Sequence, residues 1–457
     1  MTRAGSTRTV DRCYVSEQES IQNWLKEHTI EDVEAFVPDM AGAARGKVIP
    51  AEKLGKGEIK LPEGIFEQTI SGHYVDNEDN LEDRDMLLSP DATTLRPVPW
   101  AADPAASIFL DCFHKDGTPV ETSPRRVLRR VLELYEEKGW TPVVAPEVEF
   151  YLINPHSDPN EEVEPPKGRL GRTETSKQPY SIDTMNDFDP LINDVYAYCE
   201  AQGIRIDTLS QEMGPAQFEI NFHHGDAMSL ADQVFLFKRT VKEAAIAHSL
   251  HATFLAKPIS EEEGSSLHVH QSIVDADGTN IFSSGDGKFS DLFMSYIGGL
   301  QKYMPEALLI FAPYPNSYRR FLGYELTPAN LYWAIDNRTV GLRVPDSHPE
   351  GRRVENRVAG SDVNPYLVIA ATLACGYLGM TEGVEPSKPF EGSAFDKPFQ
   401  LHHSMFESIE AMRGSDAMRK TLGDTFVTLY CAVKYDECRE FHEIVTPWER
   451  EVLLLNV

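Results

Sequence analysis

Glu147 and Glu149 stand two apart in the run Val143-Val144-Ala145-Pro146-Glu147-Val148-Glu149-Phe150-Tyr151-Leu152-Ile153. Alternate side chains of a strand share a face, so both carboxylates point one way while Val148, Phe150 and Leu152 point the other. Two acids set among apolar residues repel each other and are costly to desolvate, and a bound cation resolves both problems. The pattern recurs. In Gln217-Phe218-Glu219-Ile220-Asn221 the polar residues take one face, and in Ser266-Leu267-His268-Val269-His270-Gln271-Ser272 the histidines align with the serines opposite Leu267 and Val269. In Arg353-Val354-Glu355-Asn356-Arg357 two arginines flank a glutamate on one face. One such strand reads equally well as a solvated sheet face laced with salt bridges. Four, rich in Glu, His and Arg and poor in Lys, point to a site.

A carboxylate-dominated set with one or two imidazoles and no thiolate suits Mg²⁺ or Mn²⁺ better than zinc. Arg320, Arg338, Arg343, Arg353 and Arg357 supply forked donors that match phosphate and carboxylate geometry. Metals beside a ring of arginines describe a place where negative charge gathers on phosphoryl oxygens. The chain has no G-x-x-x-x-G-K-[ST] loop, and Gly285-Asp286-Gly287-Lys288 and Asp275-Ala276-Asp277-Gly278 read as turns rather than phosphate or calcium loops.

The elements that position these residues are punctuated by turns. Residues 1–16 read as a flexible tail and residues 17–116 as an N-terminal domain. That domain has strand-like runs near Val33 and Phe113 and a turn at Asp116-Gly117. Residues 117–457 read as the catalytic domain, opening with a helix for which Ser123 is the N-cap and Pro124 the first residue. Residues 158–177 carry no period and read as a surface loop. Residues 366–380, following Asn364-Pro365, read as a buried helix rather than a membrane span.

Forty-three Lys and Arg against 72 Asp and Glu leave a formal charge of −29, which repels phosphate backbones and argues against a nucleic-acid partner. Residues 1–15 lack the apolar run of a signal peptide. The six cysteines show no C-x-x-C pair or metal spacing, as expected of a reducing cytoplasm.

Taken in order, several motifs resemble the glutamine synthetase superfamily, type I form. They are Gly42-Ala43-Ala44-Arg45-Gly46-Lys47, Pro146-Glu147-Val148-Glu149-Phe150, Lys257-Pro258 leading to Gly264-Ser265-Ser266-Leu267-His268-Val269-His270, Asn316-Ser317-Tyr318-Arg319-Arg320, Asn337-Arg338, Arg353-Val354-Glu355-Asn356-Arg357 and Asn364-Pro365-Tyr366-Leu367. The resemblance runs from about Val33 to the C-terminus. It implies an α+β fold: a β-grasp-like N-terminal domain, then a catalytic domain with a curved antiparallel sheet and flanking helices. It also implies a homo-oligomer, a dodecamer of two hexameric rings, with each active site at a subunit junction.

Carried over by motif position, Glu149, Glu212 and Glu219 would hold one metal, and Glu147, His268 and Glu355 a second beside the ATP phosphates. His270, Ser272, Arg343 and Arg353 fall where the family contacts ATP, and Arg338, Arg343 and Arg353 where it handles phosphoryl charge. Gly264, Arg320 and Arg357 match the glutamate-binding positions. Glu325, in Gly323-Tyr324-Glu325, falls on a mobile loop glutamate that shields the intermediate and helps deprotonate the nucleophile. The implied chemistry is ATP-dependent ligation of the glutamate γ-carboxylate to an amine through γ-glutamyl phosphate.

Two departures separate the chain from the regulated ammonia-using enzymes. Their F-D-G-S-S stretch is here Phe66-Glu67-Gln68-Thr69-Ile70, and the region of their adenylylated tyrosine reads Lys388-Pro389-Phe390-Glu391, without a tyrosine. Other wording, including Pro215-Ala216-Gln217-Phe218-Glu219-Ile220-Asn221 and Arg357-Val358-Ala359-Gly360, is similar to γ-glutamylpolyamine synthetases, such as the γ-glutamylputrescine synthetases. The substrate expected is a polyamine or other organic amine, with Glu67 and Tyr180 as its contacts. Ammonia is the alternative amine. A non-catalytic member of the fold is the alternative class, but such relatives lose metal ligands, and all six positions are filled here.

Overall fold

The computed structural model describes residues 18–55, 57–75, 82–175, 177–322, 327–395 and 397–457. The expected tail, Cys13 and Glu325 lie outside them.

The first sheet is built from β1 (Asp32–Pro38), β2 (Ala44–Pro50), β3 (Ile59–Pro62), β4 (Asp85–Pro90), β5 (Arg96–Pro97) and β6 (Ala105–Phe113), in the order β2-β1-β6-β4-β3 with β5 also on β6. Its central pair, β1 and β6, runs parallel and its other pairs antiparallel, the mixed pattern expected of a β-grasp-like unit. Val33, Ala35 and Val37 alternate inward from β1 and meet Ala106, Ile108 and Leu110 of β6 in one core. The turn at Asp116-Gly117 follows, closed by Gly117 N–H on the His114 carbonyl at 2.9 Å, with Gly117 at φ +83°.

The helix Pro124–Glu136 then begins at the expected residue, although the Ser123 side chain makes no capping hydrogen bond and the pre-set φ of Pro124 does the starting. Beyond it lies the second sheet: β7 (Thr141–Ile153), β8 (Ile206–Gln211), β9 (Gln217–Phe222), β10 (Gly225–Asp226), β11 (His251–Thr253), β12 (Leu267–Val274), β13 (Trp333–Ile335), β14 (Leu342–Val344) and β15 (Val354–Asn356). Its order is β13-β14-β15-β12-β7-β9-β8, with β10 and β11 at the two ends of β7. The expected antiparallel pairing holds except between β13 and β14, which run parallel.

The apolar face of this sheet packs on helices. The helix Pro365–Glu382 is buried along almost its whole length, starts on Asn364, whose side chain caps Tyr366 and Leu367, and ends at Gly383 with φ +65°. It crosses the helix Asp291–Phe311 so closely that a Cβ on Gly299 or Gly379 would collide with the opposing backbone. Among the described residues no helix is long and apolar enough to cross a membrane. The stretch 158–177 carries no helix or strand among its described residues.

Candidate active site

The polar face opposite those helices is organised by β7. Its register with β12 sets His268 opposite Glu147, and its register with β9 sets Glu219 opposite Glu149. β15 lies on the far side of β12, where Glu355 faces His270, and β14 brings Arg343 opposite Glu355. Four short polar-faced segments thus converge by strand register alone.

Ligand atoms of Glu147, His268 and Glu355 lie within 4.8 Å of one another, and so do those of Glu149, Glu219 and His268. His268 therefore touches both groups, whereas the resemblance assigned it to one. Glu212 stands on the same cleft wall and adds its charge to that of Glu149 and Glu219. The two groups differ electrostatically. Burial penalises the Glu147 carboxylate, but His268 Nδ1 at 3.1 Å and His270 Nε2 at 2.9 Å overcome this and hold its pKa well below the usual range. Burial also penalises Glu355, which has no exposed side-chain surface, yet Arg357 and the two imidazoles pull it down to about 2. Its oxygens are held by Arg357 Nη1 at 2.5 Å and Arg343 Nη1 at 2.9 Å.

Glu149 has no such partner. Burial and the charge of Glu212 lift it to about 8, outweighing the hydrogen bond from Ser266 N–H at 2.8 Å and the charges of Arg320 and Arg357. Burial and the charges of Glu147, Glu149 and Glu212 raise Glu219 as well, and burial raises Glu212. Three desolvated, mutually repelling carboxylates beside an imidazole fit a hard divalent cation.

Two cavities meet at Glu147. One, of about 280 Å³, is lined by the acids together with Gly264, Arg338, Arg357 and Tyr180. The other, of about 650 Å³, runs past His270, Ser272 and Arg353 towards Asp207, His223 and His224. The residues expected at ATP thus line the second cavity, except Arg343, which pairs with Glu355 and with Asp336 at 2.8 Å. Those expected at glutamate divide. Gly264 and Arg357 line the smaller cleft, whereas Arg320 is buried behind it, donating to the carbonyls of Val358 at 2.8 Å and Arg357 at 3.2 Å. Tyr180 lines the cleft, largely exposed and held in a left-handed conformation at φ +65°, with its N–H on the Gln211 carbonyl at 3.0 Å. Glu67 does not line it. Its side chain is buried at the end of a 3₁₀ turn in its own N-terminal unit.

Asp207, His223, His224, Glu263 and Phe395 were not singled out from sequence. They sit at strand ends or on irregular segments, where no periodicity marks a direction.

A model of the glutamine synthetase catalytic domain matches residues 121–453. The chain is 35% identical to gamma-glutamylputrescine synthetase PuuA of Escherichia coli (strain K12) over 439 residues, 93% of this chain and 92% of that protein. It is 32% identical to a glutamate–isopropylamine ligase of a Pseudomonas species, over 94% and 96% of the two chains, and 31% identical to a glutamine synthetase of Methanosarcina mazei, over 94% and 96%. The solved structure of GmaS without ligand superposes with a TM-score of 0.82 at 26% identity, covering 95% of this chain and 99% of that one.

Proposed function

The chain belongs to the glutamine synthetase family, whose members are ATP-dependent carbon–nitrogen ligases acting on glutamate, and on that premise we propose that it joins the glutamate γ-carboxylate to an organic amine, a polyamine first among them. The observation that carries this reading is the meeting of the two carboxylate–imidazole groups at the wall shared by two cavities.

A carboxylate does not react with an amine directly, so one of its oxygens must first become part of a leaving group. The γ-carboxylate takes the γ-phosphoryl group of ATP, the amine attacks the resulting acyl phosphate once it is neutral, and phosphate departs. Gly264 and Arg357 hold glutamate in the smaller cleft, with Arg320 fixing the carbonyls of Arg357 and Val358 from behind. His270, Ser272 and Arg353 hold the nucleotide in the larger one, so its phosphates reach Glu147, where the cavities join. Arg338 and Arg343 offset the charge that builds on the transferring group. Glu147, His268 and Glu355 would hold one divalent cation and Glu149, Glu212 and Glu219 another. Bound Mg²⁺ or Mn²⁺ would draw charge from the phosphoryl oxygens. Glu325 is the proposed base that strips the amine's proton.

The organic-amine reading draws on the Phe66-Glu67-Gln68 departure and on the two relatives whose names specify putrescine and isopropylamine. Tyr180 lines the amine end, and Glu67, buried in its own chain, is the weaker of the two proposed contacts. The reading includes a dodecamer of two rings and a cytoplasmic setting, in keeping with five described cysteines that are all free.

The test is phosphate release with glutamate and ATP across ammonium, putrescine, cadaverine, spermidine, ethanolamine and isopropylamine. Turnover with one or more organic amines well above that with ammonium is expected. Efficient turnover with ammonium alone overturns the organic-amine assignment.

A further inference from the structure

The wall of the smaller cleft is not acidic throughout. Besides the acids it includes Met213, Pro179, Tyr180 and Phe395, apolar and aromatic surface that a bare ammonium ion has no use for, and a further acid, Glu263. Glu263 closes a run of three acids, Glu261-Glu262-Glu263, immediately before Gly264. Its backbone is tied to the catalytic sheet, because Tyr151 donates to its carbonyl at 2.8 Å and Gln217 Nε2 donates to the next carbonyl, Gly264, at 3.0 Å.

One oxygen of this acid is left over. Glu263 Oε2 is buried with no hydrogen-bond partner, while Glu262 Oε2 has the ion pair with Lys177. Lys177 Nζ bridges the two carboxylates, 3.3 Å from Glu263 Oε1 and 3.3 Å from Glu262 Oε2, and Lys257, whose ammonium donates to the Glu262 carbonyl, adds a second positive charge nearby. The pair thus already holds an alkylammonium head, and Glu263 has acceptor capacity left over.

Resting on the ligase reading above, we propose that Glu263 binds the distal ammonium of a diamine substrate, whose methylene chain lies along Met213 and Phe395 while its other nitrogen attacks beside Glu212. The exposed face of Tyr180 gives the cation a second favourable surface. Lys177 is the internal competitor for the same acid.

The experiment measures KM for putrescine, n-butylamine and glutamate in the full-length protein, with thermal melting of each variant as the check on folding. Glu263→Gln should raise KM for putrescine roughly tenfold or more, the worth of one charge-assisted contact, while leaving KM for butylamine and glutamate nearly unchanged. Lys177→Ala should lower KM for putrescine and not that for butylamine. A Glu263→Gln protein that melts normally but loses glutamate affinity instead would assign Glu263 to the α-ammonium of glutamate and overturn the proposal. Equal losses for the diamine and the monoamine would overturn it too. Failure of the ligase reading shows separately, in wild-type protein that turns over neither amine.

Discussion

Glu147 and His268 occupy directly paired positions of β7 and β12, with His268 Nδ1 3.1 Å from Glu147 Oε2, while Glu149, two residues along the same face, feels Arg320 and Arg357 only at a distance and makes no ion pair among the described residues. Adjacent acids on one strand are therefore in opposite electrostatic states. Glu147 is stabilised as a carboxylate by two imidazoles, and Glu149 is pushed towards its protonated form. Replacing either with glutamine should cut phosphoryl transfer at least ~100-fold, because each is a proposed metal ligand. Their stabilities should diverge. In metal-free buffer Glu149→Gln should melt higher than wild type, since it removes a desolvated, repelled acid. Glu147→Gln should melt lower, since it removes the negative charge and leaves one acceptor oxygen for two imidazoles. Scanning calorimetry with and without chelator checks this, and a shift of the same sign in both variants would sink the asymmetry.

The same contrast sets the pH dependence of the metal-free protein. Glu149 rises from an ordinary 4.5 to about 8, and Glu212 and Glu219 rise with it. A carboxyl whose folded pKa is raised contributes stability below pH 4.5 and loses it as pH climbs towards its folded value. Glu355, held at about 2, works the other way: its contribution is present above pH 4.5 and disappears on acidification towards pH 2. Metal-free stability should thus peak near pH 5 and fall towards pH 8. The decline should flatten above about pH 7, where Lys238, buried and lowered to about 7, adds stability as pH rises. Mg²⁺ or Mn²⁺ should reverse the decline and release protons on binding, measurable by titration calorimetry in buffers of different ionisation enthalpy. A flat melting temperature between pH 5 and 7 in chelator, unaltered by Glu149→Gln, would contradict this.

How much of this was legible before the structure depends on the kind of element. The four polar-faced segments were readable because a strand's two-residue period assigns each side chain to a face, and Glu147, Glu219, His268 and Glu355 all reside in such segments. The pairing that sets His268 opposite Glu147 was not, because register across more than a hundred residues depends on which strands become neighbours. Arg320 shows another limit. A motif can place an arginine in a family's site but not say which way its guanidinium turns, and here it turns to backbone carbonyls. Glu263 and Phe395 lie on irregular chain where spacing carries no direction, and only the folded cleft brings them to one wall.

If glutamate is activated before the amine arrives, methionine sulfoximine with ATP should inhibit slowly and tightly, as a phosphorylated mimic of the transition state does. Arg338, on the wall of the smaller cleft, and Arg353, whose Nε lies 3.3 Å from His270 Nδ1, are placed to bear charge that exists only during transfer. Arg338→Ala and Arg353→Ala should therefore weaken this slow inhibition by roughly 100-fold while changing KM for glutamate far less. Inhibition that is rapid, weak and independent of ATP would argue against an acyl-phosphate route.

The tightest steric constraint at the site is Gly264. A Cβ there would stand 2.5 Å from Arg320 Cγ and 2.7 Å from the Ala256 carbonyl oxygen. Neither neighbour can yield easily. The carbonyl is backbone that already accepts Ser265 N–H at 2.8 Å, and the Arg320 guanidinium is anchored on Val358 and Arg357. The loop carrying Gly264 must lift instead, which loosens the Gln217 bond to its carbonyl and shifts the wall proposed to hold glutamate. Gly264→Ala should cost ~1–3 kcal/mol of stability, as overpacking does, and should raise KM for glutamate by roughly tenfold or more, while KM for ATP, whose proposed cavity lies on the other side of Glu147, should move little. Gly285, whose added Cβ would meet nothing within 4 Å, provides the control, and Gly285→Ala should leave both constants and the melting temperature unchanged. Steady-state kinetics on the two variants decides the matter: normal glutamate affinity in a stably folded Gly264→Ala protein would show that this wall does not form the glutamate pocket.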